Sequence, residues 1–476
     1  MDNNIQRDQF FWLGQINKAS LVVNTQDGLI DQDRAPVFAK AIDQVLKDGL
    51  KEGATRPKTV ITFEPLLIKE GGAEITKLHV GRSSQDIHAT YRMAMTREDL
   101  LDLAANLATT HERIVKLAEE HRDTVIVSYT NGVAAQPTTY GHYLLAFADG
   151  LARDMERLQQ YYIRLDRSPM GTTVLNGTRW PLNREKMAAH LGFKELAYNA
   201  YDANQIFTTE YGVEAGFVVT NIALHLGGFI EDVMQQYAQP RPWIILQEGG
   251  DNTYVSSAMP QKRNPGILNS TRTECSTILG QAMGCTLRSH NVPPGMPDGR
   301  SSEINAMLKN MSNTLVKFNN ILNSLKVNKE RALEELSLDW TASQEVADVL
   351  MSKYNLAFRV GHHFASQMVS FAKANDILPL EFPYTEVQRI YKETIQGHDG
   401  PNELPMSEEE FRATLDPLTI INNRATKGGP QPKEMTAMLD MAIRKNAKQW
   451  HWINETNLLL KIAEKNLNKE FEALLK

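Results

Sequence analysis

The chain has 476 residues, 42% hydrophobic and 23% charged, with a formal net charge of -6. That length exceeds what one compact core fills, so two or three domains are expected. The mild acidic balance, with basic residues spread along the chain, excludes an electrostatic footprint for nucleic acid.

Residues 1–15 are polar, with no apolar run after a basic start, which is unlike a secretory leader. Residues 59–63 and 124–128 are short strand candidates. Thr96 with Asp99 has the spacing of a capping box at a helix start. Leu100, Leu103, Leu107, Ile114 and Leu117 then lay an apolar stripe along one helical face. The most apolar long segment, 216–230, is interrupted by Asn221 and His225. It is too short for a membrane span and reads as a buried core helix, so no membrane partner is expected. Within and beyond it, Ile222, Leu226, Phe229 and Val233 alternate spacings of four and three. Ile304, Leu308, Met311, Leu315, Phe318 and Leu322 do the same. This seven-residue rhythm belongs to long helices packed nearly antiparallel. Ser407 with Glu410 has the spacing of a second capping box. The two cysteines, Cys275 and Cys285, cannot form a disulfide framework and lack companions for zinc. A reducing compartment, the cytoplasm, and no structural metal are expected.

Helical periodicity dominates, so the expected fold class is all-α, and the stretch of about 93–345 reads as a bundle of long helices. Glycine and proline punctuate it at 248–266, 291–299 and 427–432. The first, EGGDNTYVSSAMPQKRNPG, is long for a helix–helix connection, and long loops in compact domains are often lids. Ser256 and Ser257 supply hydroxyls, Lys262 an ammonium and Asn264 an amide, with prolines at 260 and 265 limiting the conformations. Lys262 and Asn264 can hold a carboxylate as negative charge builds on it, and the same donors favour a serine alkoxide as proton acceptor. On composition alone, an ordinary solvated surface loop is the better reading of these residues.

The run SSAMPQKRNP (256–265) resembles the signature loop S-S-x-M-P-x-K-x-N of the aspartase/fumarase superfamily. KLHVGRSSQDIHAT (77–90), SPMGTTVLNGTRWPLNREKMAAHLGF (168–193) and LDPLTIINNRATKGGPQP (415–432) are similar to the argininosuccinate lyase branch, and AQPTTYGHYLLAFADGL (135–151) is so more weakly. The matches keep the family's order and span nearly the whole chain. The resemblance implies three helical domains, 1–92, a central long helix bundle at 93–345, and 346–476, and a homotetramer with a twenty-helix core, each active site assembled from three chains. It also implies cofactor-free anti elimination from a succinyl-amine substrate, with fumarate released. In that scheme Ser256 is the base, Lys262 and Asn264 hold the aci-carboxylate, and closure over Gly249–Gly250 brings Ser256 to the substrate; the two glycines serve equally as plain turn residues. Ser83, Ser84, Gln85 and Thr130 align with groups that bind the succinyl carboxylates. Ser20 resembles an N-terminal substrate-binding serine, and equally a helix cap or surface serine.

The departures concern the leaving-group side. The family histidine after the threonine is Asn131, and the carboxylate that pairs with it is Asn269, so the acid for the leaving amine is unassigned. The amine-side run Y-N-x-D-x-Q-E-x-K is altered, with Arg300 for the tyrosine, Asn305 for the glutamine and Leu308 for the lysine. The family's E-D-x-H segment is absent near Phe63-Glu64-Pro65-Leu66, and Val255 replaces a signature glycine. Arg300 would suit a further carboxylate of the substrate, or simply be a surface charge. The expected activity is a carbon–nitrogen lyase on an N-substituted aspartate, argininosuccinate-like or an aminopolycarboxylate of the ethylenediamine-disuccinate type. Alternatives are argininosuccinate lyase itself and a non-catalytic structural tetramer of the same fold. His142, His362 and His363 read as packing residues on helices.

Overall fold

The computed structural model describes residues 6–296 and 303–476. Three helices form one end: α1 (Gln9–Gln26), α2 (Ala35–Asp48) and α3 (Val60–Gly71). Asp8 caps α1 by accepting the Phe11 N–H. Apolar residues occupy nearly every face of α1, and it is buried all round, as such a helix must be. The strand expected at 59–63 is the start of α3 instead. Thr59 caps it by accepting the Thr62 N–H, and Val60 and Phe63 face the core. The β-branched run misled because a capping threonine overrides local strand preference.

The long bundle consists of α4 (Ser84–Glu120), α5 (Tyr140–Leu165), α7 (Phe207–Tyr237), α8 (Gly266–Ser289) and α9 (Ile304–Ser324), with α6 (Arg184–His190) a short helix beside it. Here α4 packs on α5 and α9, and α7 on α5, α8 and α9. The apolar stripes anticipated on α4, α7 and α9 all lie in one continuous core. Thr96 is not a helix start: it lies inside α4, its hydroxyl bonded to the Arg92 carbonyl. The cap of α4 is at Ser83, and the helix runs without a break across the boundary expected at 92/93.

The last third holds α10 (Lys329–Ser337), α11 (Ser343–Tyr354), α12 (Phe358–Ala374), α13 (Tyr384–Thr394), α14 (Glu408–Leu415) and α15 (Pro417–Asn422). The helices from α11 to α15 build a second core around Phe364, Phe382, Tyr391 and Phe411, while α10 packs on the strand Val125–Thr130. The capping box at Ser407 and Glu410 is present at the start of α14. The chain then returns in α16 (Pro432–Leu474), which packs along α1, α4 and α5 and joins the main core.

The protein is mostly helical, but the all-α expectation is incomplete. Eight short strands pair two by two among the described residues: β1 (Val125–Thr130) with β2 (Val133–Thr139), β3 (Arg167–Ser168) with β4 (Glu195–Leu196), β5 (Ile244–Leu246) with β8 (Leu325–Val327), and β6 (Tyr254–Val255) with β7 (Arg263–Asn264). Only β3–β4 is parallel. Two of these hairpins carry the residues of interest. By length and composition, 202–237 is long and apolar enough to cross a membrane, yet half of its most apolar window is buried inside the protein, as in a bundle core helix.

Candidate active site

The 248–266 segment is a small structured hairpin. Gly249 and Gly250 take positive φ of 92° and 56°, in open space, where a side chain would be strained. The Gly249 N–H donates to Thr253 Oγ1, and β6 and β7 then pair Tyr254 with Asn264 and Val255 with Arg263. The Ser256 N–H donates to the Lys262 carbonyl at 3.1 Å, closing the tip. Ser256 Oγ lies against two backbone donors, the N–H groups of Ala258 at 3.4 Å and Met259 at 3.3 Å. Such donors favour the alkoxide over the neutral hydroxyl. Lys262 is exposed, while Ser256 and Asn264 are half-buried, so the ammonium is held close in sequence to a serine it does not bond. Val255 and Met259 on the same hairpin are 58% and 44% exposed, an apolar face with no cover in this chain.

Ser83 caps α4, and its hydroxyl accepts from the Gln85 N–H while donating to the Thr173 carbonyl. Ser84 is exposed at the first turn and Gln85 half-buried. Beneath them lies Asp86, absent from the sequence reading of the site. It accepts the N–H groups of Ser83, Gly171 and Thr173 and so ties the irregular 169–183 segment to the start of α4. Burial raises its pKa to about 7, against the pull of those three donors and of Arg82. Its signal was available, since Ser83 and Asp86 have capping-box spacing.

Ser20 is fully buried on α1. Its hydroxyl accepts from Arg82 Nη1 at 2.9 Å, and Asn17 accepts from Arg82 Nη2 at 2.7 Å. The structure therefore places Ser20 beneath Arg82, out of reach of a diffusing molecule in this conformation. Burial pulls the Arg82 guanidinium down to about 10, with Asp86 and Glu64 opposing that fall.

Thr130 and Asn131 sit exposed at the tip of the β1–β2 hairpin. Asn131 and Gly132 have φ of 52° and 75°, the Asn-Gly two-residue turn that matches strand twist. Asn131 thus has a backbone reason to be asparagine, independent of any role for its side chain. Among the described residues no hydrogen bond joins the Ser256 hairpin, the Ser83 cap and the Thr130 tip to one another.

On the leaving-group side, Leu308 is wholly buried in the main core, and Asn305 Nδ2 donates to Asp99 at 2.6 Å, so both serve the α4–α9 packing in this chain. Asn269 lies in the first turn of α8, and Arg300 lies outside the described residues. His142 bridges Thr138 and the Gly428 carbonyl through its two ring nitrogens. His362 and His363 are exposed on α12, so the packing role expected for them is corrected: the apolar face of that helix is formed by Val360, Phe364 and Met368. Both cysteines are free and buried.

A long helical bundle with paired accessory strands is the fold of fumarase-type lyases. Its backbone superposes on a variant of EDDS lyase with bound fumarate at a TM-score of 0.88, with 24% identity over 98% of this chain and 92% of that one. It also superposes on the class II fumarase of Schistosoma mansoni at 0.67, with 14% identity over 86% and 90%. A family model described as "Lyase" matches residues 15–280, more than half of the chain. The chain belongs to that family, within the aspartase/fumarase superfamily, as a distant homologue of argininosuccinate lyase and EDDS lyase. Argininosuccinate lyases from Methanosphaera stadtmanae (26% identical, covering 89% of this chain and 90% of that protein) and Methanocorpusculum labreanum (29%, covering 90% and 86%) are among its relatives.

Proposed function

We propose that the protein is a carbon–nitrogen lyase that cleaves an N-substituted aspartate by anti elimination, giving fumarate and an amine. The observation that carries this reading is the seat of Ser256 Oγ on the Ala258 and Met259 N–H groups, in a hairpin that also bears Lys262 and Asn264. In the proposed step Ser256 takes the proton from the carbon beside a carboxylate. Lys262 and Asn264 stabilise the charge that then develops, because they are already in place. The C–N bond breaks with its electron pair going to nitrogen, which takes a proton from solvent, so that the neutral amine leaves and fumarate remains. Ser83, Ser84, Gln85, Thr130 and Asn131 are proposed to hold the succinyl carboxylates. Arg300 is proposed for a further carboxylate of the substrate, of the aminopolycarboxylate kind. No cofactor is required by this chemistry.

The same reading includes a homotetramer in which three chains supply one site. Two features support it. The three candidate segments make no hydrogen bond with one another within the described chain. And Phe217 and Leu224, two turns apart on α7, are 60% and 59% exposed, with Met283 and Leu287 on α8 at 59% and 68%. Apolar side chains in such a row need a partner surface.

Incubating the protein with fumarate and a panel of amines, diamines and amino acids, followed by mass spectrometry, tests the activity. The expected result is an N-substituted aspartate with one member of the panel. An adduct with arginine alone would return the protein to argininosuccinate lyase. No adduct with any amine, and no fumarate from any N-substituted aspartate, would leave the non-catalytic tetramer.

A further inference from the structure

The two oxygens of Asp86 serve different segments. Oδ1 accepts the Ser83 N–H at 2.7 Å, which completes the capping box at the start of α4. Oδ2 is turned inward and accepts the N–H groups of Gly171 at 2.9 Å and Thr173 at 3.2 Å. A cap needs only the first oxygen. The second ties in a stretch of chain 85 residues further on. That stretch is fastened to the cap at three more points. Ser83 Oγ donates to the Thr173 carbonyl at 2.9 Å, and Thr173 Oγ1 donates to the Gly81 carbonyl at 3.3 Å. The Leu182 side chain lies over Gly81, where a Cβ would stand 2.2 Å from it.

Two features set this arrangement apart from a plain helix start. Thr173 has a φ of 60°, a left-handed conformation that β-branched residues rarely adopt, so the bonds to Asp86 and Ser83 hold a strained backbone in place. The Asp86 carboxylate is wholly buried, although Arg82, the guanidinium that acts on it, gives both Nη groups to Ser20 and Asn17. Burying a charge in this way costs stability, and local strain gathers where a site must keep its shape. Between Ser83 and Asp86, in the first turn of α4, stand Ser84, exposed, and Gln85, half-buried.

We propose that Asp86 is a positioning residue of the lyase site, which seats the 169–183 segment on the cap so that Ser84 and Gln85 meet a succinyl carboxylate in one fixed geometry. The inference rests on the part of the lyase reading in which those two residues bind substrate. Asp86 lies beneath them and acts through them, on binding and not on the proton transfer at Ser256. The ionised carboxylate accepts all three N–H groups, whereas its acid form sets an O–H against one of them. Burial places its titration at about 7, so binding weakens as pH falls through neutrality. The other charged groups around it are Arg82 and, on α6, Arg184, with Glu64 and its partner His79 acting on Arg82. All of these remain in an Asp86 variant, so comparison with the parent isolates Asp86.

The test is calorimetric titration of the full-length protein with fumarate at pH 8 and pH 6, beside steady-state kinetics with fumarate and the amine that the panel identifies. The parent should bind fumarate roughly three- to tenfold more weakly at pH 6 than at pH 8. Asp86→Asn should bind it about fivefold or more weakly than the parent at pH 8, with the two pH values drawn together. Its KM for fumarate should rise likewise while kcat stays within about threefold. Should Asp86→Asn not fold, Leu182→Ala serves in its place, since a half-buried side chain is removed and Asp86 is left alone. Its looser segment should weaken fumarate about threefold or more and keep the parent's pH dependence. Parent affinity in either folded variant, a fall in kcat without a rise in KM, or an unchanged pH ratio in Asp86→Asn would overturn the proposal. So would the absence of fumarate binding by the parent. If fumarate binds as described but no amine is turned over, the lyase reading fails and the positioning role stands for a dicarboxylate site.

Discussion

The hydroxyl oxygen of Ser256 sits 3.3 Å from the backbone nitrogen of Met259, at a tip closed by the Ser256 N–H bond to Lys262. The side chain makes no strand hydrogen bond, since β6 and β7 pair through the backbone. Removing the hydroxyl therefore separates chemistry from folding. Ser256→Ala is expected to lower fumarate release by roughly 10²–10⁴-fold, the usual weight of a positioned base. Stability should move by no more than about 1 kcal/mol, as for a partly exposed side chain. Absorbance of fumarate and urea unfolding measure the two. Retained turnover would assign the base elsewhere.

Ser20 and Arg82 give a second separation. The Ser20 hydroxyl accepts from a buried guanidinium, and the neighbouring Asn17 serves the other nitrogen. Ser20→Ala leaves one buried donor without an acceptor, which costs about 1–3 kcal/mol. Urea unfolding should show that loss, with KM altered only through the shifted Arg82. A higher KM at unchanged stability would instead put Ser20 in direct contact with substrate.

The bundle was legible because its helices have one apolar face each, and periodicity reports a face directly. The stripe from Ile304 to Leu322 lies in the core as its spacing required. Faces do not report ends. Thr96 and Asp99 have the right spacing for a cap, but so do many pairs inside a helix, and α4 runs straight through them. The signature loop was found by its residues; that it is a hairpin was not, because β6 and β7 are too short to show alternation. Asp86 was legible only in part. Its capping-box spacing with Ser83 is local, but its bonds to Gly171 and Thr173 join groups about 85 residues apart, and no local pattern encodes such a meeting.

Asn131 and Gly132 make the turn of the hairpin that bears Thr130. A methyl group added at Gly132 would meet nothing within 4 Å, so only the backbone conformation opposes it. Gly132→Ala at φ of 75° should cost about 1–2 kcal/mol, the penalty of the left-handed region for a residue with a Cβ. The loss should appear in urea unfolding. An unchanged midpoint would show that the turn relaxes at no cost and that Thr130 is not held by it.

His111, on α4, is 1% exposed where α16 crosses it. Its Nδ1 is 3.3 Å from Asn446 Nδ2, whose amide also donates to the Ala108 carbonyl, while Nε2 has no partner. Burial, and after it the Lys445 charge, pulls its pKa down to about 4, with the Asp149 carboxylate opposing that fall but making no hydrogen bond to the ring. The sign follows. Between about 4 and the ordinary value near 6.5, the unfolded chain takes up a proton that the folded chain refuses, so stability falls as pH drops through that window. The full difference is on the order of 3 kcal/mol. His111→Phe keeps a ring in the same place and cannot titrate. The variant should lose less stability than the parent between pH 7 and pH 4, by about that amount in paired denaturant curves. Equal losses in both proteins would mean that His111 is reached by water, or by a counter-charge, before the helices separate.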